Sequence, residues 1–199
     1  MIKVVLFDVD GVLANGEPFS KHLARDYGIT SEMTTSFFGG RFMECLVGNA
    51  DLKHELADHL HQWGWQGTID EFVSYWFRCE HSIDEPLLAT IAQLRQQGIR
   101  CYLATNQEKY RTAYILEQMG FAGQFDGIFS SAHIGYLKHE RRFFAQVLRD
   151  LHGVRADDIL FWDDSPGNVA TAQASGFQAE LYQGFADFEK QMQRYLVTS

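Results

Sequence analysis

The chain has 199 residues, 46% of them apolar and 22% charged, with a formal net charge of −9. That length suits one domain, or one domain carrying a small insertion, and the apolar share is enough for a substantial core, which excludes wholesale disorder. The acidic balance excludes nucleic-acid and anionic-membrane binding, both of which need a basic face.

Cys45, Cys79 and Cys101 are odd in number and show no C-x-x-C spacing. Reduced thiols are expected rather than a disulfide framework or a zinc site. The chain starts directly on a strand, without a signal-peptide pattern, and has no run of about 18 apolar residues to span a membrane. A cytoplasmic protein, monomeric or homodimeric, is expected.

In chain order, the apolar run Ile2 to Phe7 reads as a strand buried on both faces, and it ends in Asp8-Val9-Asp10-Gly11. Two carboxylates at the mouth of a buried strand repel each other and cost solvation energy. A divalent cation, Mg²⁺ being the usual one, held between them and a phosphate would offset that cost. Ala14 to Pro18 is turn chemistry, and from Phe19 to about residue 83 the pattern is helical. Helices are predicted over Phe19–Tyr27, over Ser31–Phe38 with Ser31 as N-cap, after Asp51, and from Asp70, with Gly39-Gly40-Arg41, Gly64 and Gly67 as breaks. This stretch is expected to be a helical insertion with its own small core.

From Asp84 onward helices and strands alternate. Asp84 is the expected N-cap of a helix carrying Leu87, Leu88, Ile91 and Leu94 and stopped by Gly98. Strands are predicted at Ile99–Ala104, Gly127–Ser130, Asp158–Trp162 and Phe177–Leu181, and helices at Glu108–Met119, Arg141–Leu151, Ser165–Ser175 and Phe185–Leu196. Such alternation predicts a doubly wound parallel α/β sheet, with ligands beyond the carboxyl ends of the strands. The polar residues cluster there: Asp8 and Asp10, Thr105 and Asn106, Lys138 in Gly135-Tyr136-Leu137-Lys138-His139-Glu140, and Asp163 and Asp164. Singly these are an acidic turn, a helix cap, a loop lysine and an acidic first helical turn; together at one sheet edge they describe a site.

The apolar strand ending in Asp-x-Asp-Gly-Val, the strand ending in Thr-Asn, the lysine before a helix, and Phe-Trp-Asp-Asp-Ser-Pro-Gly-Asn-Val together resemble the haloacid dehalogenase-like hydrolase superfamily. The resemblance covers about residues 1–15 and 84–182. It implies a Rossmann-like core over 1–15 and 84–199 and a small helical C1-type cap over 16–83. It further implies that Asp8 is the nucleophile forming an aspartyl-phosphate, and that Asp10 protonates the leaving alcohol and then activates water. Thr105, Asn106, Lys138 and the N–H groups after Asp8 would hold the phosphate. Mg²⁺ would be bound by Asp8, the Asp10 carbonyl and Asp164, with Asp163 as a supporting ligand through water or a partner for Lys138. Dehalogenating relatives lack an acid/base carboxylate at the second position, so Asp10 points to phosphoryl transfer. His139-Glu140 departs from the Pro-Asp or Pro-x that often follows this lysine in relatives.

The expected activity is therefore Mg²⁺-dependent hydrolysis of a small phosphorylated metabolite, such as a sugar phosphate. A phosphomutase on the same scaffold and a non-turning-over receiver-like phosphate or Mg²⁺ binder are the alternatives. In the insertion, Arg41 is either a ligand for a substrate anion or a surface turn residue. His54, Glu55 and His59 are spaced wrongly for an H-E-x-x-H zinc site, with the histidines five apart. Trp63, Trp65, Tyr75, Trp76 and Phe77 read as the insertion's core rather than a stacking platform.

Overall fold

The computed structural model describes residues 1–196. The apolar runs form one parallel sheet of β1 (Val4–Phe7), β2 (Arg100–Thr105), β3 (Gly127–Ser130), β4 (Ile159–Asp163) and β5 (Gln178–Leu181), in the order β3-β2-β1-β4-β5. This is the doubly wound α/β architecture that the alternation predicts. β1 lies at the centre, paired to β2 from Val4–Arg100 to Phe7–Leu103 and to β4 from Val4–Ile159 to Phe7–Trp162. All four of its side chains are buried, which is why the run is continuously apolar rather than alternating.

Between β1 and β2 lie α1 (Phe19–Tyr27), α2 (Ser31–Phe38), α3 (Arg41–Leu46), α4 (Leu52–Trp63), α5 (Ile69–Cys79) and α6 (Glu85–Gln96). After β2 come α7 (Lys109–Glu117), the single-turn α8 (Ser131–Ile134), α9 (Arg141–Asp150), α10 (Pro166–Ala174) and α11 (Phe185–Leu196). Strand geometry sends successive side chains to opposite faces. Val5 and Phe7 accordingly meet Leu87, Ile91, Ile115, Phe188 and Met192 from α6, α7 and α11. Val4 and Leu6 meet Phe143, Phe144, Val147, Val169 and Ala172 from α9 and α10. Each fully buried side chain of this size contributes about 1.5–3 kcal/mol, so both faces of β1 are anchored.

The helices α1 to α5 enclose a separate apolar cluster around Phe19, Phe37, Leu56, Trp63, Phe72 and Trp76. Their aromatic rings pack edge-on or stacked, as with Phe19 on Trp76 at 5.1 Å and Trp65 against Phe72 at 5.2 Å. Tyr110 and Tyr114 of α7 pack against this cluster and make the seam with the sheet domain. No helix among the described residues is long and apolar enough to cross a membrane.

Several helix ends differ from expectation. Thr30, not Ser31, occupies the N-cap of α2, with Ser31 already helical. The helix placed at Asp70 starts at Ile69 behind Thr68, whose hydroxyl accepts the Glu71 N–H while the Glu71 carboxylate accepts the Thr68 N–H. That reciprocal box satisfies two orphan donors where Asp70 would satisfy one. The paired glycines end α2, but the chain re-enters a helix at once, so Arg41 begins α3. A Cβ on Gly40 would lie 2.6 Å from the Ser36 carbonyl, so the close turn requires glycine there.

Candidate active site

The carboxyl ends of β1, β2 and β4 bring the expected polar residues together. Asp8 prolongs β1 by one pairing, its N–H donating to the Trp162 carbonyl at 2.9 Å, and its side chain is buried. Thr105 ends β2, buried and in register with Ser130 of β3. Lys138 is buried between two acids, its Nζ 2.5 Å from Asp8 Oδ1 and 2.7 Å from Asp163 Oδ2. The loop carrying it is fixed at both sides: the Lys138 N–H donates to Asn106 Oδ1 at 2.9 Å, and the Leu137 N–H to Glu140 Oε1 at 3.0 Å. Glu140, part of the departure from the family pattern, thus closes the turn with its own carboxylate. With Oδ1 of Asn106 committed to the loop, its amide nitrogen is the group left to donate to a ligand.

Asp163 is fully buried and accepts from three donors. Its Oδ2 takes Lys138, and its Oδ1 accepts from the Ser165 N–H at 2.8 Å and from Asn168 Nδ2 at 3.0 Å. Asp163 is thus a hydrogen-bonded partner of Lys138. Asp164, next along the chain, is exposed, and Gly11 packs directly on it: a Cβ at Gly11 would fall 2.1 Å from Asp164 Oδ2. Gly11 also has φ +80°, so glycine is required there twice over. Carboxylate oxygens of Asp8, Asp163 and Asp164 all lie within 4.8 Å of one another. Three acids here share one ammonium. Burial is the main cause pushing the Asp8 carboxyl up, opposed by Lys138 and reinforced by Asp163. Asp164 moves up for the same reasons, burial first and Asp163 second. Burial would lower the Lys138 ammonium, but Asp8 and Asp163 outweigh it and hold the charge in place. An uncompensated negative site of hard oxygen donors fits a small divalent cation.

The Asp10 carboxylate is not part of that cluster, and its side chain is 53% exposed. Gln107 Nε2 donates to its Oδ2, and Arg111 Nη2 lies 3.9 Å from its Oδ1. Gln107 is itself anchored, its carbonyl accepting from the Ser130 hydroxyl at 3.1 Å and the Ser131 hydroxyl at 3.4 Å. Arg111 is buried in the seam, donating to the carbonyls of Phe77 at 2.9 Å and Glu80 at 3.2 Å where α5 ends. It sits over the rings of Phe77 and Tyr114 at 5.4 and 5.3 Å. Glu80, 3.9 Å from Arg111, is pushed up to about 7, by burial first and by Asp10 second.

Gln107, Arg111, Glu80 and Asn168 are thus site residues that the sequence reading does not single out. Asn168 stands inside the quoted Asp-Asp-Ser-Pro-Gly-Asn motif and Gln107 follows Thr105-Asn106 directly, so both were within reach. Arg41 makes no hydrogen bond or ion pair with the sheet-edge residues among the described residues. Its Nε and Nη2 donate to the two oxygens of Glu55 at 2.7 and 2.8 Å, within the insertion.

The family model of haloacid dehalogenase-like hydrolases matches residues 2–176, and the chain belongs to that family. A phosphoglycolate phosphatase of Rhodospirillum rubrum is 28% identical over 88% of this chain and 77% of its own length. A sesquiterpene phosphatase of Aspergillus oryzae is 30% identical over 87% of this chain and 86% of its own length. A haloacid dehalogenase-family enzyme of Bacteroides thetaiotaomicron, crystallised with magnesium and inorganic phosphate, superposes with a TM-score of 0.76 at 20% identity. That match covers 92% of this chain and 95% of the other.

Proposed function

We infer that the chain is a Mg²⁺-dependent phosphatase that hydrolyses a small phosphate monoester, such as a sugar phosphate, through an aspartyl-phosphate on Asp8. The observation that carries this is the division of labour at the end of β1, where Asp8 is buried against Lys138 and Asp10 opens to solvent. Both the Lys138 ammonium and the Val9 N–H, at 2.5 and 2.7 Å, fall on Asp8 Oδ1, which leaves Oδ2 to attack phosphorus. Lys138 stands where charge builds on the transferring group, with Thr105 and the Asn106 amide as further donors. Asp10, oriented by Gln107, gives its proton to the departing alcohol and then takes one from the water that attacks the intermediate.

Asp8, Asp164 and the Asp10 carbonyl would hold Mg²⁺, and Asp163 keeps Lys138 in place beside it. Bound there, Mg²⁺ supplies positive charge to the phosphoryl oxygens and neutralises the acid cluster. The helices α1 to α5 serve as the cap over this edge, which restricts access to small substrates. The likeness to a phosphoglycolate phosphatase and a sesquiterpene phosphatase supports this reading.

Hydrolysis of p-nitrophenyl phosphate tests it. Turnover is expected with Mg²⁺, to vanish with a chelator, to return on adding Mg²⁺, and to fall at least about 10³-fold in Asp8→Asn. Full metal-dependent turnover in Asp8→Asn would overturn the mechanism.

A further inference from the structure

We propose that the alcohol released from this enzyme's substrate carries no negative charge, so that phosphoglycolate is a poor substrate despite the likeness to phosphoglycolate phosphatases. This deepens the phosphatase reading above and rests on it. The leaving oxygen must lie within hydrogen-bond reach of Asp10, since Asp10 supplies its proton. A cavity of about 410 Å³ opens at that residue, between the turn that leaves β1 and the end of α5. It takes in Asp10 and neither Thr105, Asn106 nor Lys138, so it begins where the phosphate position stops. Asp10 belongs to both, and the body of the alcohol has this space to occupy.

The wall of that cavity is acidic. Asp10, Glu17 and Glu80 contribute carboxylates, Asn15 an amide, and Ala14 and Pro18 carbon surface. The nearby cations are already engaged by those same carboxylates. Arg111 is buried behind Asp10 and Glu80, 3.9 Å from each; its Nη1 and Nη2 donate to two backbone carbonyls, and its Nε is enclosed in the seam without a hydrogen-bond partner. Lys21 and Arg25 lie 4.0 and 3.2 Å from Glu17, and the His22 ring 3.5 Å from it. The Asn15 amide donates to the Val12 carbonyl at 3.1 Å and to Asp84 at 3.4 Å. A carboxylate on the leaving group would lie against the carboxylates of Asp10, Glu17 and Glu80 in a wall that contains no cationic side chain, where like-charge juxtaposition is unfavourable. Hydroxyl groups and carbon meet no such penalty, because carboxylates accept hydrogen bonds from hydroxyls and the Ala14 and Pro18 surface packs against carbon.

The test compares kcat/KM of the full chain with Mg²⁺ for 2-hydroxyethyl phosphate and 2-phosphoglycolate, which differ by a hydroxymethyl group in place of a carboxylate. The neutral ester is expected to win by at least about tenfold. Glu80→Gln and Glu17→Gln should each narrow that gap by raising turnover of phosphoglycolate; Glu17 is exposed, so the second variant serves where the first fails to fold. Equal or better use of phosphoglycolate, with p-nitrophenyl phosphate turned over normally, would overturn the proposal and leave the phosphatase reading standing. A gap unchanged in both variants would overturn the assignment to this cavity. No Mg²⁺-dependent turnover of any of the three esters would remove the phosphatase reading and this proposal together.

Discussion

Two sides of the same strand end are built in opposite ways. Around Asp8 the polar groups are buried and nearly saturated: Lys138 bridges two acids, and Asp163 accepts from three donors on two oxygens. Around Asp10 the carboxylate is half exposed, held by one amide, and backed by an arginine that belongs as much to the insertion's exit as to the sheet domain. The phosphate is the same in every substrate, so its side can be rigid and dry, which strengthens each electrostatic contact. The alcohol differs between substrates, and its side is open and partly built from the helical insertion. Chemistry and selectivity are thereby assigned to different neighbours of one short segment.

Breaking the rigid side should have the largest effect. Lys138→Met removes the one cation between Asp8 and Asp163 and leaves two buried carboxylates without a counter-charge. A loss of about 3–5 kcal/mol in unfolding free energy without metal is expected, with kcat reduced roughly 10²–10³-fold with Mg²⁺. Denaturant melts with and without Mg²⁺ separate the two effects, since a bound cation would restore part of the stability. A variant as stable as wild type in chelator would contradict the buried-bridge account.

On the open side, Gln107→Ala frees the Asp10 carboxylate from its orienting amide while leaving Asp8 and Lys138 untouched. The expected result is about a tenfold fall in kcat with KM little changed, because orientation of a general acid matters chiefly in the transition state. Gln107→Glu should be worse than alanine, by placing a like charge against Asp10.

Glu80 offers a pH test of the same side. Its carboxyl is raised to about 7 from an ordinary value of 4.5, with burial as the main cause. A raised folded-state pKa favours the native state fully below the unfolded value and loses that contribution as pH climbs through the folded one. Stability should therefore decline between about pH 4.5 and 7 in wild type. Glu80→Gln removes the titration, so the variant should gain on wild type by about 1–3 kcal/mol at pH 8 and show no gain at pH 4. The same offset at both pH values would mean that the group is not titrating in the fold.

The rigid side was legible in the chain because each of its residues sits within a residue or two of an apolar strand end or in one flanking loop. Asp8, Thr105-Asn106, Lys138 and Asp163-Asp164 need only the sheet order to meet. The open side was not, because Arg111 meets Phe77 and Glu80 across more than 30 residues, and α7 must dock on the insertion before the contact exists. Cap residues misled for a local reason: Thr30 and Ser31, or Thr68 and Asp70, are equally able to cap, and only the reciprocal Thr68–Glu71 pair distinguishes a true start. α8, at four residues, is too short to show any periodicity.

Arg41 gives the smallest effect and the sharpest boundary between the two regions. As a residue near a glycine pair in the insertion it is a candidate for a substrate anion, yet its guanidinium is engaged by Glu55. If selectivity comes from the walls around Asp10, Arg41→Gln should change kcat/KM by less than about twofold, as exposed ion pairs contribute little and touch no substrate. A loss confined to KM would instead show that the insertion moves enough on binding to release Arg41 from Glu55 and bring it over the phosphate. Repeating the measurement in Glu55→Gln separates these cases: a freed Arg41 that binds substrate should lower KM there, whereas a surface arginine should leave it unchanged.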